Sequence, residues 1–167
     1  MDRRGLLLVA CALPMAGCKS APVKTFPTLA SAAQAIESLA SGHAKEGAWN
    51  LSQMLQHVAQ SIEYSIDSYP EKKSGMFRAT VGAAAFTVFD LRGVMGHALD
   101  EPIPGAPALD RDAPLPAAIR RALAALRRFE SYEGVLAPHF AYGALDKAQY
   151  TRAHLMHLAN HWTEVTP

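Results

Sequence analysis

The sequence is poor in the groups that usually announce a chemistry. It has two cysteines in 167 residues, too few for a disulfide scaffold or a thiolate metal cluster. Charge is balanced, with 16 Lys and Arg against 15 Asp and Glu and a formal net charge of +1. No basic surplus is available to neutralise phosphates, so nucleic acid is not an expected partner. No segment keeps the apolar–polar alternation of a half-buried strand. The Cys-x-x-Cys-His of attached haem is missing, and so are the paired Glu-x-x-His motifs of di-iron carboxylate bundles. What is plentiful is apolar side chain, half of all residues, and histidine, of which there are seven. The length suits one domain with a substantial core.

The N-terminus reads as an address. Arg3-Arg4 give a basic start, and Gly5–Gly17 is an uncharged, mostly apolar run. That run is well short of the about 20 residues a membrane-spanning helix needs, and fits the apolar region of a secretory signal. Met15-Ala16-Gly17-Cys18 resembles a bacterial lipobox, with Met15 where leucine is commoner, which would place a lipid on Cys18. Arg3-Arg4-Gly5-Leu6-Leu7 resembles a twin-arginine signal. The expected organisation is therefore a signal peptide over 1–17, a lipidated Cys18 with a tether over 18–27, and a helical domain over 28–167. The expected location is the bacterial cell envelope, facing the periplasm, either lipid-anchored to the membrane or, if the signal is an ordinary cleaved one and the cysteine incidental, secreted to the periplasm. Cleavage removes Cys11 and lipid consumes Cys18, so the mature domain keeps no free thiol for chemistry.

The mature chain reads as all-α. Leu29, Ala32, Ala33, Ile36 and Leu39 recur at helical spacing, a first helix over Thr28–Leu39. Asn50 with Gln53 forms a capping-box pattern ahead of the stripe Leu51, Met54, Leu55, Val58, Ile62 and Ile66, a second helix ending before Pro70. A third helix is expected from Phe77 to about Leu99, with Phe86, Phe89 and Val94 in the core. Asp100–Pro116, with five prolines, reads as one long crossover connection. Ala117–Glu130 is a fourth helix with Ile119, Leu123, Leu126 and Phe129 on one side and Arg120, Arg121, Arg127 and Arg128 on a solvated face. After a loop over Tyr132–Leu145, Asp146 with Gln149 opens a last helix through about Val165. The expected architecture is a bundle with one long crossover. An apolar helix face serves equally as core or as a homodimer seam.

Three histidines fall close together on the last helix. At about 100° per residue, His154, His157 and His161 lie within an arc of about 60° bordering the apolar face. His157 and His161 are one turn apart, so both imidazoles can meet a single ion. Half-buried core histidines without a metal are the competing reading. A third ligand must come from another helix, and His57, on the flank of the second helix's stripe, is the leading candidate.

Trp49-Asn50-Leu51-Ser52-Gln53-Met54-Leu55-Gln56-His57 resembles the opening motif of the DinB-like superfamily of metal-binding four-helix bundles, a tryptophan followed eight residues later by a ligand histidine. His139-Phe140-Ala141-Tyr142-Gly143-Ala144-Leu145 resembles the His-Pro-x-Phe-Gly-x-Leu loop of one uncharacterised branch, with Phe140 for proline and Tyr142 for phenylalanine. Tyr150 stands where that branch has tryptophan, and His154, His157 and His161 follow at its spacing. The resemblance implies a metal triad of His57, His157 and His161. Asn160 replaces a histidine common beside the ligand, and Glu164 replaces glutamine. Glu164 is a candidate general base or a group orienting an imidazole, and equally the last-turn carboxylate of an amphipathic helix. His154, His139 and Tyr150 are pocket candidates, whereas His43 and His97 read as structural and Trp49 and Trp162 as packing residues. Three histidines leave coordination positions open, and Zn, Ni, Mn and Fe all tolerate imidazole. The functional expectation is a metal-dependent hydrolase or transferase acting on a small molecule. Its alternative is a non-catalytic metal- or ligand-binding envelope lipoprotein, and a bundle whose histidines bind nothing is the third possibility.

Overall fold

A computed structural model of the chain describes residues 25–45 and 47–166. The signal segment, Cys18 and most of the tether lie outside the described residues. The described part is all-α apart from one two-residue strand pair. Helix α1 (Leu29–Ser38) starts at a capping box in which the Thr28 hydroxyl accepts from Ser31 N–H and the Ser31 hydroxyl accepts from Thr28 N–H. It tightens into a 3₁₀ turn over Leu39–Ser41, which Gly42 ends in the left-handed region at φ 96°. Strand β1 (Ala44–Lys45) then pairs antiparallel with β2 (Val165–Thr166), clasping this linker to the C-terminal segment.

Helix α2 (Leu51–Asp67) carries the expected capping box: Asn50 Oδ1 accepts from Gln53 N–H at 2.9 Å, and Gln53 Oε1 accepts from Asn50 N–H at 3.2 Å. The sequence marks only one apolar stripe on this helix, yet every residue from Leu51 to Ile62 is buried. The apolar side packs on helix α4 (Leu115–Ser131), whose Ala118, Ala122 and Ala125 let the two backbones come close. The polar side is covered by the long connection. Gln56 exchanges two hydrogen bonds with the backbone of Asp110, at 2.7 and 2.9 Å, and Gln60 Nε2 donates to Pro107 O at 3.1 Å. A proline-rich connection has few ladder partners of its own, so its backbone is free to satisfy the Gln56 and Gln60 amides, which are buried and would otherwise be unpaired.

Helix α3 is composite, an α-turn over Gly75–Phe77, a π-helical stretch over Arg78–Gly82 and an α-helix over Ala83–Arg92. It ends seven residues earlier than the periodicity predicts, because Gly93 adopts φ 63° and turns the chain out of the helix. Val94, expected in the core, is exposed as a result, while Met95 beyond it is buried. The connection therefore runs from Gly93 to Pro114, longer than expected. Helix α5 (Lys147–Trp162) begins at the Asp146–Gln149 capping box and stops short of Val165, which belongs to β2. Residues of α1, α2, α4 and α5 form the main core around Ile36, Leu55, Ala122, Phe129 and Leu158. A smaller cluster of Phe86, Met95, Ala153 and Met156 seats α3 on α5. On α4, Arg121 and Arg128 lie on the solvated face and pair with Glu63 and Asp67 of α2.

The π-helical stretch lies directly against the loop before α5. A Cβ built on Gly82 would fall 1.8 Å from Ala141 O, far inside contact distance, and that atom is backbone. Gly82→Ala should therefore push the 139–143 loop away and cost about 1–3 kcal/mol, typical of overpacking. That corresponds to a melting temperature lower by several degrees, about 2–4 °C per kcal/mol at this size. A thermal melt unchanged from the parent would refute the close approach.

Candidate metal centre

The two capping boxes fix where α2 and α5 begin and so bring their histidines to the same level. His57 Nε2 lies 3.1 Å from His157 Nε2, and His161 Nε2 lies 3.2 Å from the same atom. His57 and His161 are buried and His157 is half-buried. The three ring centroids are 4.9–5.0 Å apart. These three residues, the expected triad, form a group that could hold a metal ion.

The donor set fits that role. Nitrogens about 2.0–2.1 Å from one ion at a tetrahedral angle lie about 3.3 Å from each other, close to the two spacings seen. Without an ion, the single Nε2 of His157 has to serve two neighbours, and a neutral imidazole nitrogen is either donor or acceptor. His57 Nδ1 and His161 Nδ1 are buried with no hydrogen-bond partner among the described residues. Burial, reinforced by His97, pushes the His57 pKa down to about 3. Burial, with His57, His97 and Lys45 nearby, takes His161 to about 2. His157 falls well below the usual value, again chiefly through burial and then through the neighbouring imidazoles. All three are neutral near pH 7, the form that coordinates.

Trp49, itself half-buried, covers one side of the cluster. Its ring lies 4.9 Å from that of His57 and stacks on His161 at 6.0 Å with an interplanar angle of 18°. It is more than a packing residue at the start of α2, since it backs two of the imidazoles. A cavity of about 140 Å³, which Trp49 does not line, opens against His57 and His157. Tyr150, Ala153 and His154 of α5 form one wall, and His139, Phe140 and Tyr142 of the preceding loop form another. Glu101, Pro102, Ile103 and Pro104 of the connection roof it.

The three pocket candidates all line this cavity, and each is also tied into the fold. His139 Nδ1 accepts from Ala141 N–H and Tyr142 N–H at 3.1 Å each, and its ring stacks on Tyr142 at 4.3 Å. Tyr150 donates its hydroxyl to Ala137 O at 2.7 Å and stacks on His154 at 5.4 Å. His154 Nε2 lies 3.2 Å from Ser65 Oγ. Glu164 stands elsewhere: its carboxylate pairs with the buried Lys45 beside the β1–β2 clasp, and it does not line the cavity. Lys45 also donates to Trp49 O at 3.0 Å, so the ion pair supports the tryptophan behind the cluster.

His97 is the residue that sequence reasoning missed. Expected to be structural, it lines the cavity, with its ring 4.9 Å from His157 and 5.1 Å from His161. It lies on an irregular segment where no periodicity points inward, so the pattern carried no signal for it. His43, also read as structural, is half-buried and away from the cavity.

A family model described as "Protein of unknown function (DUF1569)" matches residues 22–167. The chain belongs to the DUF1569 family. Comparison with curated proteins and with solved structures finds no match. The matched span contains His57, His157 and His161.

The buried histidines set an acid limit on the fold. His139 and His154, away from the triad, are pushed down to about 3, His139 by burial and then by His154, and His154 by burial. The unfolded chain binds protons on these groups below about 6.5, whereas the folded chain does not until near 3, so stability rises with pH across that window. The metal-free protein should hold its melting temperature above about pH 7 and lose it steadily between about 6 and 4. Melts followed by circular dichroism check this, and a flat profile over that range would contradict the burial of these imidazoles.

Proposed function

We propose that this DUF1569 protein is a DinB-like four-helix-bundle protein that binds one divalent metal ion through His57, His157 and His161 and presents it to a small molecule in the adjoining cavity. The convergence of three neutral imidazole nitrogens, at 3.1 and 3.2 Å, carries this reading. His57 and His157 border the cavity, which Trp49 does not line, so a ligand in it has an approach to the cluster. An ion held there supplies Lewis-acid chemistry to whatever the cavity admits. The chain's own residues shape the rest: Tyr142, Phe140 and His139 offer flat apolar faces, and Glu101 puts a carboxylate at the roof. With turnover the protein is a metal-dependent hydrolase or transferase of the cell envelope, tethered through Cys18. Lipobox-like Met15-Ala16-Gly17-Cys18 supports the tether.

A second reading, a binder without turnover, is favoured by the place of Glu164. Its carboxylate is engaged by Lys45 and stands away from the cavity, so the candidate base is not where a bound ligand would need it.

Metal analysis of the purified protein tests the centre. The parent should carry about one equivalent of Zn, Ni, Mn or Fe. His57→Ala and His157→Ala should each lose affinity by more than the ~10–100-fold typical of removing an outer-shell partner. Unchanged binding in either variant removes that residue from the site, and no binding under any loading condition leaves only the helical fold. Fatty-acid labelling that marks the parent but not Cys18→Ser would support the anchor, and equal labelling would sink it.

A further inference from the structure

Helix α3 has an inner side that packs and an outer side that is bare. Inward, Phe86 is buried with Met95, Ala153 and Met156. The rings of Phe86 and Phe89 stand 5.7 and 6.2 Å from that of Tyr142 in the cavity wall. Outward, Met76, Val81, Val88 and Leu91 are 79%, 60%, 48% and 83% exposed, and Ala84 among them is exposed too. Their spacing is helical except for the five-residue step from Met76 to Val81, where the π-helical stretch over Arg78–Gly82 takes up the extra residue. The run from Ala79 to Phe89 contains no charged residue, and Asp90 at its end is engaged by Arg152. Loss of charge from an exposed face marks the centre of a protein interface rather than a solvated helix surface.

We propose that this face is the seam of a two-fold homodimer, in which α3 packs antiparallel on α3 of a second copy with Ala84 at the axis. The stripe reads nearly the same in both directions from Ala84: Val81 and Val88 come first on either side, then Met76 and Leu91. An isologous interface makes each contact twice, so a pattern of this symmetry fits itself. Leu91 of one copy meets Met76 of the other, and Val88 meets Val81. The small side chain of Ala84 lets the two helices approach at the crossing point. With Phe77 and Val94 at its edges, the exposed apolar surface is roughly 600 Å² per copy, and pairing buries about 1,200 Å², the lower end of a stable interface. A bilayer or an unrelated partner draws no advantage from the symmetry about Ala84. The seam is independent of the metal reading, since Met76, Val81, Ala84, Val88 and Leu91 do not line the cavity. It braces from outside the helix whose inner rings stand beside Tyr142.

Sedimentation of the purified protein and site-specific cross-linking test this without any activity. The parent should sediment as a dimer at micromolar concentration. Leu91→Glu and Val88→Glu should each raise the dissociation constant by ~100-fold or more, because the two-fold axis places the change twice in the seam. Both side chains are exposed, so the variants should keep the helical circular-dichroism spectrum of the parent. Cross-linking reads the geometry on a chain that keeps the apolar stripe nearly intact. With Cys11→Ser and Cys18→Ser in place, a short bis-maleimide should join Ala84→Cys into a covalent dimer, since the two copies of that position meet at the axis. Leu91→Cys should stay unlinked, because seven residues on each side of the axis separate its two copies by about 21 Å. A parent that remains monomeric at the highest soluble concentration overturns the proposal, and binding of that monomer to phosphatidylglycerol vesicles would give the face to a lipid surface instead. A dimer that both glutamate variants leave intact, with cross-linking equal at positions 84 and 91, overturns it as well.

Discussion

Nε2 atoms 3.1 and 3.2 Å apart on His57, His157 and His161 set three lone-pair-bearing groups against one another where water is largely excluded. A protein can tolerate this in two ways, by sharing protons or by sharing a cation. Proton sharing is restricted, because burial holds all three rings neutral and one His157 nitrogen faces two partners. The same burial that makes the arrangement awkward for an empty site makes it suitable for a divalent ion, which accepts several neutral imidazoles at once. The cluster is held rigid by structure with other work to do, since α2 and α5 begin at capping boxes and their histidines follow at fixed helical intervals.

The covering of α2 is the second constraint, and the cavity follows from it. An amphipathic helix normally leaves its polar side to solvent. Here Gln56 and Gln60 instead hydrogen-bond the backbone at Asp110 and Pro107, which lays the connection along that side. Proline suits such a segment, since each one removes an N–H that would need a partner. Once the connection is fixed there, its earlier residues pass over the end of the site, and His97, Glu101 and Pro102–Pro104 become part of the cavity.

The sequence made the helices and the triad legible because both rest on local periodicity. Asn50 with Gln53 and Asp146 with Gln149 marked helix starts to the residue, and the i, i+4 pair His157–His161 was readable from spacing alone. The choice of His57 combined its flank position with the DinB-like motif. What escaped were features set by tertiary contact. The burial of α2's polar side depends on a segment about 50 residues away in sequence. The early end of α3 depends on one left-handed glycine among several. His97 depends on both the turn at Gly93 and the bond from Asn160, neither of which leaves a periodic trace. Glu164, which helix angle alone puts beside the cluster, pairs with Lys45 at the strand clasp, a contact that likewise leaves no periodic trace.

Access and selectivity separate along the same lines. Trp49, supported by Lys45 and Glu164, covers one side of the cluster at His57 and His161, and His161 does not reach the cavity. The open side is bounded partly by helix residues such as Ser61, Ala153 and His154, and partly by the 95–104 and 139–142 segments. The helix residues are constrained by the core and by their bonds to Ser65 and the backbone, whereas loops accept substitution and insertion more readily. A change in what the cavity admits is thus easiest to make in Glu101–Pro104 or Phe140–Tyr142, without moving the imidazoles. Their reach is limited at one point: His139 holds its loop through two backbone N–H groups, and Gly82 leaves no room for that loop to shift toward α3. For the ligand-binding role proposed above, selectivity would rest mainly on the roof, whose residues, among the described ones, neither bond to a core helix through their side chains nor abut a backbone that forbids a Cβ.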